Sequence, residues 1–237
     1  MKSTRKRVAV LISGRGSNMA ALIEAAKEPS YPAEIVGVIS DKPDAAGLSV
    51  AAANGIATRV VARRDHPDKQ AHDAAMDAAL ASFKAEIVAL AGYMRLLGAP
   101  FVQRWQGRII NIHPALLPAF KGLDTHRRAL DAGCRIHGCT VHFVTPEMDD
   151  GPIIAQAAVP VLAGDTEQSL SARVLKVEHR LYPMALALLC EGKARMENGR
   201  TALDPAGLAE RNGAQFIMAP ELWSEARSLE DLARFTP

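Results

Sequence analysis

Short runs of Val, Ile and Leu alternate with helix-like segments through the first half of the chain. Apolar runs without polar interruption are typical of strands covered on both faces, as in a parallel sheet. The pattern predicts an α/β fold with a mostly parallel, twisted sheet flanked by helices. The predicted strands span residues 7–13, 33–40, 57–61, 86–92 and 108–113. The predicted helices between them span residues 17–28 and 68–83.

The pattern changes in the second half, where two apolar runs, residues 139–145 and 152–161, are joined only by PEMDDG. This connector is too short for a helical crossover, so the two strands are predicted to pair antiparallel at the far side of the sheet. Near the end, residues 194–203 are typical of a small hairpin with Asn198-Gly199 at its turn.

A long helix is predicted between these segments, beginning after Asp165 or Thr166 as N-cap and running towards Cys190. Pro183 is expected to kink it. Glu178 lies on or beside its apolar stripe, where a carboxylate requires a partner if it is buried. The simpler alternative, favoured by the residues alone, is a Glu at the helix edge that reaches solvent.

Composition restricts the class of protein. The chain has 237 residues and a formal charge of +2, which gives no electrostatic case for a nucleic-acid partner. Three cysteines, an odd number without metal-ligand spacing, favour a reducing cytoplasm. The apolar run after the basic N-terminus is too short for a signal peptide, and no segment is long enough to span a membrane. We expect one domain over residues 1–204 and a more polar extension over 205–237 that is not an independent domain.

The sequence SGRGSN, residues 13–18, lies between the first strand and the first helix. Gly14 and Gly16 allow close backbone approach to a ligand, and the helix that opens at Ser17 and Asn18 presents free N–H groups. A monophosphate site is therefore predicted. A tight turn with a serine cap is the alternative. A dinucleotide site is disfavoured because Met19 stands where G-x-G-x-x-G requires glycine, and Asp41 is better explained as a turn residue.

Asn111 and His113 lie two residues apart at the end of the fifth strand, so their side chains point the same way. An amide is a neutral donor, and an imidazole can donate, accept or change charge near pH 7. This pair suits stabilisation of an oxyanion with proton movement, as acyl transfer requires. The alternative is an ordinary strand end, with Asn at a turn and His against Pro114.

Asp149 and Asp150 precede Gly151 in the connector after the strand that carries His142. Acidic residues before glycine are common in turns. The functional hypothesis is that one carboxylate faces His113, orients its ring and favours the charged form. The histidines lack ligand spacing, so no metal is predicted. A serine-hydrolase hypothesis fails because G-x-S-x-G is absent.

Five motifs occur in order along the chain: VAVLISGRGSNM, LAGYMRLL, NIHPALLPAFKGLDTHRRAL, HGCTVHFVTPEMDDGPII and RVLKVEHRLYP. Together they resemble one family, the folate-dependent phosphoribosylglycinamide formyltransferases of purine biosynthesis. NIHPALLP is typical of the wider formyltransferase group, while SGRGSN and KGLDTHR point to the purine enzyme. The resemblance covers roughly residues 7 to 200 and implies a single formyltransferase-type domain with a Rossmann-like N-terminal half.

The resemblance also implies roles for matching residues. Asn111, His113 and Asp149 match the catalytic trio. Residues assigned to the ribonucleotide are Gly16, Ser17, Asn18 and Glu178. Lys69 stands where the family often has arginine near the ligands, and Pro146 replaces the first acid of the family's D-E-L-D-x-G-P loop. Residues assigned to folate are Lys69, Met94, Arg95, Leu96, Leu97, Asn111, Val144, Thr145 and Pro146.

The implied reaction is attack by the amine of glycinamide ribonucleotide on the formyl group of 10-formyltetrahydrofolate, without metal, nucleic acid or membrane, in a monomer or homodimer. Methionyl-tRNA formyltransferase is the nearest rival, but it has a further tRNA-binding domain. Formyltetrahydrofolate hydrolase has an N-terminal regulatory domain, whereas the first strand begins here by Arg7. A nucleotide-binding protein that kept the fold without activity is the rival from another class.

Overall fold

The computed structural model describes residues 5–204, in which a seven-stranded sheet has the order β3-β2-β1-β4-β5-β6-β7. The first five strands are parallel, β6 is antiparallel to β5, and β7 is antiparallel to β6. The predicted parallel sheet with an antiparallel pair at one side is confirmed. The strands are β1 (Lys6–Ile12), β2 (Ala33–Ser40), β3 (Thr58–Val60), β4 (Ile87–Leu90), β5 (Ile109–His113), β6 (Ile136–Phe143) and β7 (Ile153–Pro160).

Helices cover both faces of the sheet, which explains the uninterrupted apolar strands. In β1, Val8, Val10 and Ile12 pack into the core on one face, and Ala9 and Leu11 into the core on the other. Residues from α1, α2 and α6 belong to the first core, and residues from α3 and α4 to the second. The helices are α1 (Ser17–Ala26), α2 (Ala46–Ala53), α3 (Lys69–Ser82), α4 (Ala99–Arg104), α5 (Thr125–Asp131) and α6 (Glu167–Cys190).

Three of these helices, α2, α4 and α5, are absent from the sequence prediction. Each has eight residues or fewer. Helix α2 is rich in Ala and Gly and has no apolar periodicity, while α4 begins with proline in its first turn. Segments this short give too few turns for a helical repeat to be recognised.

The predicted long helix and the predicted hairpin agree with the structure. Helix α6 begins after Thr166, whose side chain forms a capping box with Ser169, and it continues through Pro183 without interruption. The hairpin consists of β8 (Ala194–Glu197) and β9 (Arg200–Leu203). Its turn residues Asn198 and Gly199 both have positive φ, 50° and 72°, as a type I′ turn requires.

Two features of this topology position a site. The chain changes direction of winding between β1 and β4, and ligands of open α/β sheets bind at the carboxyl ends of strands at such a point. Next to it, β5 is the last parallel strand and pairs with the antiparallel β6, so side chains from a parallel and an antiparallel strand meet there. Residues 205–237, the predicted extension, lie outside the described residues. Among residues 5–204, no helix has both the length and the apolar character to cross a membrane.

Candidate active site

A cavity of about 200 Å³ opens where β4, β5 and β6 end. Its walls come from the segment after β4, from the ends of β5 and β6, and from the loops after them. Asn111, His113 and Asp149 all line it. The predicted folate residues that line it as well are Met94, Arg95, Leu96, Leu97, Val144, Thr145 and Pro146.

Asn111 meets His142 across the β5–β6 ladder. The two residues are directly paired in register, and Asn111 Nδ2 lies 3.3 Å from His142 Nε2. His142 Nδ1 lies 2.8 Å from the Phe143 carbonyl oxygen, so this nitrogen carries a proton and donates. Burial lowers the pKa of His142, against opposing effects of that carbonyl and of Asp149, and favours the neutral ring. Nε2 is then bare and accepts one amide hydrogen of Asn111, whose other hydrogen is free for the cavity.

His113 is buried at the end of the same strand, with an acceptor at each ring nitrogen. Nε2 lies 2.9 Å from the Phe120 carbonyl oxygen and donates to it. Nδ1 lies 3.4 Å from Asp149 Oδ2, which is longer than an ordinary hydrogen bond. A ring that donates through Nε2 can hold or release a proton at Nδ1, the nitrogen on the side of the carboxylate.

Asp149 connects these groups. Its Oδ2 accepts the Gly122 N–H at 2.9 Å, and its Oδ1 lies 3.8 Å from His142 Nε2. Asp149 itself has φ 51°, so a left-handed turn in the loop after β6 aims the carboxylate back at the strand ends. The structure therefore places an amide, an imidazole and a carboxylate on one cavity wall.

The SGRGSN loop leads directly into α1. Gly16 is its N-cap, with φ 69°, and no side chain caps the helix. The serine cap considered from sequence is therefore wrong. A helix end without a side-chain cap leaves its first amides available to an anion, and the positive end of the helix dipole favours negative charge there. Ser17 is the first residue of the helix.

Asn18 connects this loop to α6. Its Nδ2 donates to Glu178 Oε2 at 2.6 Å, and both side chains are buried. The expectation that Glu178 reaches solvent is therefore wrong. Burial raises the pKa of Glu178, partly offset by the Asn18 hydrogen bond. Within the described chain, the buried Oδ1 of Asn18 has no hydrogen-bond partner, so it remains available to a ligand donor.

Two further residues differ from expectation in place or contact. Asp41 is no simple turn residue, because its buried carboxylate accepts from Arg95 Nε at 2.7 Å. Lys69 is outside the cavity wall: its side chain lies beside Gly98, one residue past Leu97. Residues 5–204 contain no cluster of three or more His, Cys, Asp or Glu that would hold a metal ion.

Sequence reasoning missed three groups at this site: the His142 ring, the Phe120 carbonyl and the Gly122 amide. A signal for His142 was present, since antiparallel pairing of β5 with β6 places some β6 residue opposite Asn111. The two backbone groups belong to an irregular loop with positive φ at Phe120 and Gly122, and side-chain patterns do not predict such geometry.

Comparison with known proteins identifies relatives of this chain. The formyl transferase family matches residues 6–186. A phosphoribosylglycinamide formyltransferase from Escherichia coli is 43% identical, over 83% of this chain and 93% of its own length. The crystal structure of a protein of the same name from Brucella melitensis is 60% identical, with a TM-score of 0.77, covering 79% of this chain and 96% of that one.

A longer relative also matches. The trifunctional purine biosynthetic protein adenosine-3 from Bos taurus is 52% identical over 83% of this chain. The chain spans only 20% of that protein's length. The described site therefore corresponds to one part of a larger polypeptide in that relative.

Proposed function

The chain belongs to the formyl transferase family, among its phosphoribosylglycinamide formyltransferases, and from this we propose that it transfers a formyl group from 10-formyltetrahydrofolate to the amine of glycinamide ribonucleotide. One observation carries the proposal. A carboxamide, an imidazole and a carboxylate line one cavity, with His113 Nδ1 3.4 Å from Asp149 Oδ2.

The folate donor is assigned to the cavity. Its wall is apolar at Leu97 and Val144, and large apolar side chains are exposed around it: Met94, Leu96, Leu123 and Met148. Exposed apolar patches on a protein of this kind mark binding surfaces, and a flat aromatic ring system suits such a surface. Polar groups at the strand ends would then face the formyl group at the inner end.

The ribonucleotide is assigned to the neighbouring strand ends. Its phosphate would accept from the first amides of α1, following Gly16, and Glu178 with Asn18 would contact the remainder of the molecule. A buried carboxylate is costly without a charged or hydrogen-bonding partner. A substrate donor opposite Glu178 supplies that partner in the complex.

The chemistry follows from these positions. The amine nitrogen forms a bond to the formyl carbon, the carbonyl oxygen becomes an oxyanion, and the bond from carbon to N10 of the folate then breaks. Asn111 donates its free amide hydrogen to the oxyanion, a contribution that is large in such sites. The proton that leaves the attacking nitrogen moves, through Asp149 and His113 Nδ1 or a water beside them, to the departing N10.

The hydrogen bond to the Phe120 carbonyl determines which ring nitrogen of His113 is available to the reaction. Because Nε2 donates to that carbonyl, only Nδ1 is left to hold the transferred proton or to donate to the oxyanion. No covalent enzyme intermediate is required, since the amine is itself the nucleophile. Fixing both substrates beside these groups supplies proximity.

The deciding experiment offers three acceptors to the purified enzyme with 10-formyltetrahydrofolate: glycinamide ribonucleotide, charged initiator tRNA, or water alone. Release of tetrahydrofolate is followed spectroscopically. We expect rapid turnover only with the ribonucleotide. Turnover at the same rate without any acceptor would identify a hydrolase, and turnover only with tRNA would assign the protein to tRNA formylation.

We also propose that the enzyme acts in the cytoplasm as a monomer or homodimer, without a nucleic-acid partner. The support is its small net charge and the absence of a membrane-crossing helix from residues 5–204. We propose the domain division at residue 204 on composition alone.

A further inference from the structure

One irregular loop, residues 120–124, contacts two titratable groups of the candidate site, His113 and Asp149, through its backbone. The Phe120 carbonyl accepts from His113 Nε2 at 2.9 Å, and the Gly122 N–H donates to Asp149 Oδ2 at 2.9 Å. The loop therefore fixes which nitrogen of His113 is free, and also where the Asp149 carboxylate lies. A displacement of the loop would affect both groups together.

This backbone geometry is unfavourable without outside support. Phe120, Gly122 and Asp124 all have positive φ, of 55°, 82° and 56°. A non-glycine residue in the left-handed region costs on the order of 1 kcal/mol or more, so surrounding contacts are required to hold Phe120 and Asp124 there. A side chain outside the loop can provide such contacts.

Arg128, in the middle of α5, contacts the loop at three points. Its Nη1 donates to the Lys121 carbonyl at 2.6 Å and to the Leu123 carbonyl at 3.2 Å. Its guanidinium carbon lies 5.5 Å from the centre of the Phe120 ring, within cation–π distance. These contacts occupy the carbonyls on either side of Gly122 and the side chain of the residue whose carbonyl faces His113.

A second cation, Lys121, belongs to the loop itself. Lys121 pairs with Asp150, but both side chains are more than one-third exposed, and exposed ion pairs contribute little. By contrast, Arg128 offers a planar donor group that can bind carbonyls and lie over a ring at once, which a lysine cannot reproduce.

Resting on the function proposed above, we propose that Arg128 is a positioning residue of the formyl transfer site. Its guanidinium holds the 120–124 loop so that the Phe120 carbonyl and the Gly122 amide keep His113 and Asp149 in place. Arg128 contacts no reacting atom in this assignment. Its effect reaches the reaction only through the loop backbone.

Arg127 gives a matched control. It is the preceding residue, also exposed and of the same charge, but its Nε lies 3.9 Å from Asp131 on the same helix. The test compares Arg128→Ala with Arg127→Ala in the full chain. Rates are measured with saturating 10-formyltetrahydrofolate, and the Gly122 amide is followed by ¹H–¹⁵N NMR in the free protein.

We expect Arg128→Ala to lower kcat about 10-fold, because small displacements of positioned groups cost this much, while KM for the ribonucleotide stays within about two-fold. The Gly122 amide proton, no longer donating to a carboxylate, should move upfield. Arg127→Ala should change neither quantity. An unchanged kcat in Arg128→Ala, an equal loss in Arg127→Ala, or an unmoved Gly122 amide would overturn the proposal.

Two further variants separate positioning from a general loss of structure. Arg128→Lys should recover part of the kcat. If the Arg128→Ala variant does not fold, Arg128→Lys takes its place in the test, with Arg127→Lys as its control. In an Asp149→Asn background, Arg128→Ala should lower kcat much less than in the wild type, since the carboxylate that the loop positions is already absent. Additive losses would refute the route through Asp149. The Gly122 signal needs no activity, so it tests Arg128 even if formyl transfer itself is absent.

Discussion

The orientation of the Asn111 amide depends on a histidine that does no chemistry in our proposal. A carboxamide presents either its NH₂ or its oxygen to a neighbour, and only the first is useful to an oxyanion. Because Phe143 holds the proton of His142 on Nδ1, the bare Nε2 selects the NH₂ orientation of Asn111. A neutral ring is needed for this, and the lowered pKa of His142 favours it.

The first prediction concerns Asn111. We expect Asn111→Ala to lower kcat by about 10²–10³, as removal of one oxyanion donor does elsewhere, with a smaller change in KM. Steady-state kinetics with both substrates measures this. Asn54, an exposed asparagine that directly follows α2, gives a control, since Asn54→Ala should leave kcat unchanged. A normal kcat in Asn111→Ala would remove this residue from the reaction.

The second prediction concerns Glu178. Glu178→Gln keeps an oxygen to accept from Asn18 and removes a charge that burial disfavours, so we expect unchanged or higher stability in thermal unfolding. We also expect KM for the ribonucleotide to rise about 10-fold, because the substrate donor loses a charged partner. A large loss of stability, or unchanged KM, would contradict the assignment of Glu178 to the ligand.

At the scale of single residues, the sequence predicts the roles of side chains better than those of backbone groups. Asn111 and His113 follow from strand alternation, and Asp149 from its place in a tight connector. Phe120 and Gly122 act through a carbonyl and an amide, which any residue supplies, so residue type carries no signal for them. Helical spacing alone places Glu178 at the edge of an apolar stripe and favours solvent, while its burial depends on Asn18 of α1.

Among the elements, α2 affects the site without lining it. Gly47 in its first turn donates its N–H to the Gly14 carbonyl at 3.1 Å. A Cβ at Gly47 would lie 2.5 Å from Ile12 Cδ1, 3.1 Å from the Gly14 oxygen and 3.3 Å from the Arg15 oxygen. Helix α2 therefore packs directly against the loop that precedes α1, at a distance that only glycine permits.

The third prediction uses this contact. Gly47→Ala raises helix propensity by about 1 kcal/mol, which alone would stabilise α2. Because the new methyl group would displace the 14–16 loop, we expect instead weaker ribonucleotide binding, by about 10-fold, with the KM for folate little changed. Isothermal titration with the ribonucleotide measures it. Ser49→Ala, at an exposed position of the same helix, should bind normally. Equal affinity in the two variants would separate α2 from the phosphate loop.

The long helices were predictable and the short helices were not, for a physical reason. Helix α6 keeps its helical repeat over 24 residues, which is enough to define a period. Strand β1 is recognisable instead as an uninterrupted apolar run. Helix α5 has seven residues, and its start is set by Asp124 in a left-handed conformation rather than by a side-chain cap. Its position, and with it Arg128, depends on the loop geometry around the site.

For the whole molecule, burial on both faces of the sheet determines how stability responds to acid. Burial is the leading cause of a lowered pKa at His126, His137, His142 and His179. For His137 the value is about 4, against an unperturbed value of 6.5. Below pH 6.5 the unfolded chain takes up protons that the folded protein does not, so the free energy of unfolding must fall as the pH decreases.

The fourth prediction gives the size of this decrease in the free energy of unfolding. With a folded pKa of about 4, His137 alone should lower the free energy of unfolding by about 2 kcal/mol between pH 7 and pH 5. Urea denaturation at the two pH values measures it. His137 donates a hydrogen bond to the Pro114 backbone. In His137→Asn, whose amide can also donate there, the difference should shrink by about that amount. A difference of the same size in both proteins would exclude His137 as a source of the acid sensitivity.

The junction of β5 with β6 has a consequence for how this scaffold can change. Asn111 and His142 are held by a strand ladder, whereas His113 and Asp149 are oriented by the long connection between those two strands and by the turn after β6. The Asn111 amide can thus keep its orientation while residues 114–135 are lengthened, shortened or exchanged. Evolution, or an engineer, can redesign proton handling in that insert without rebuilding the fixed donor.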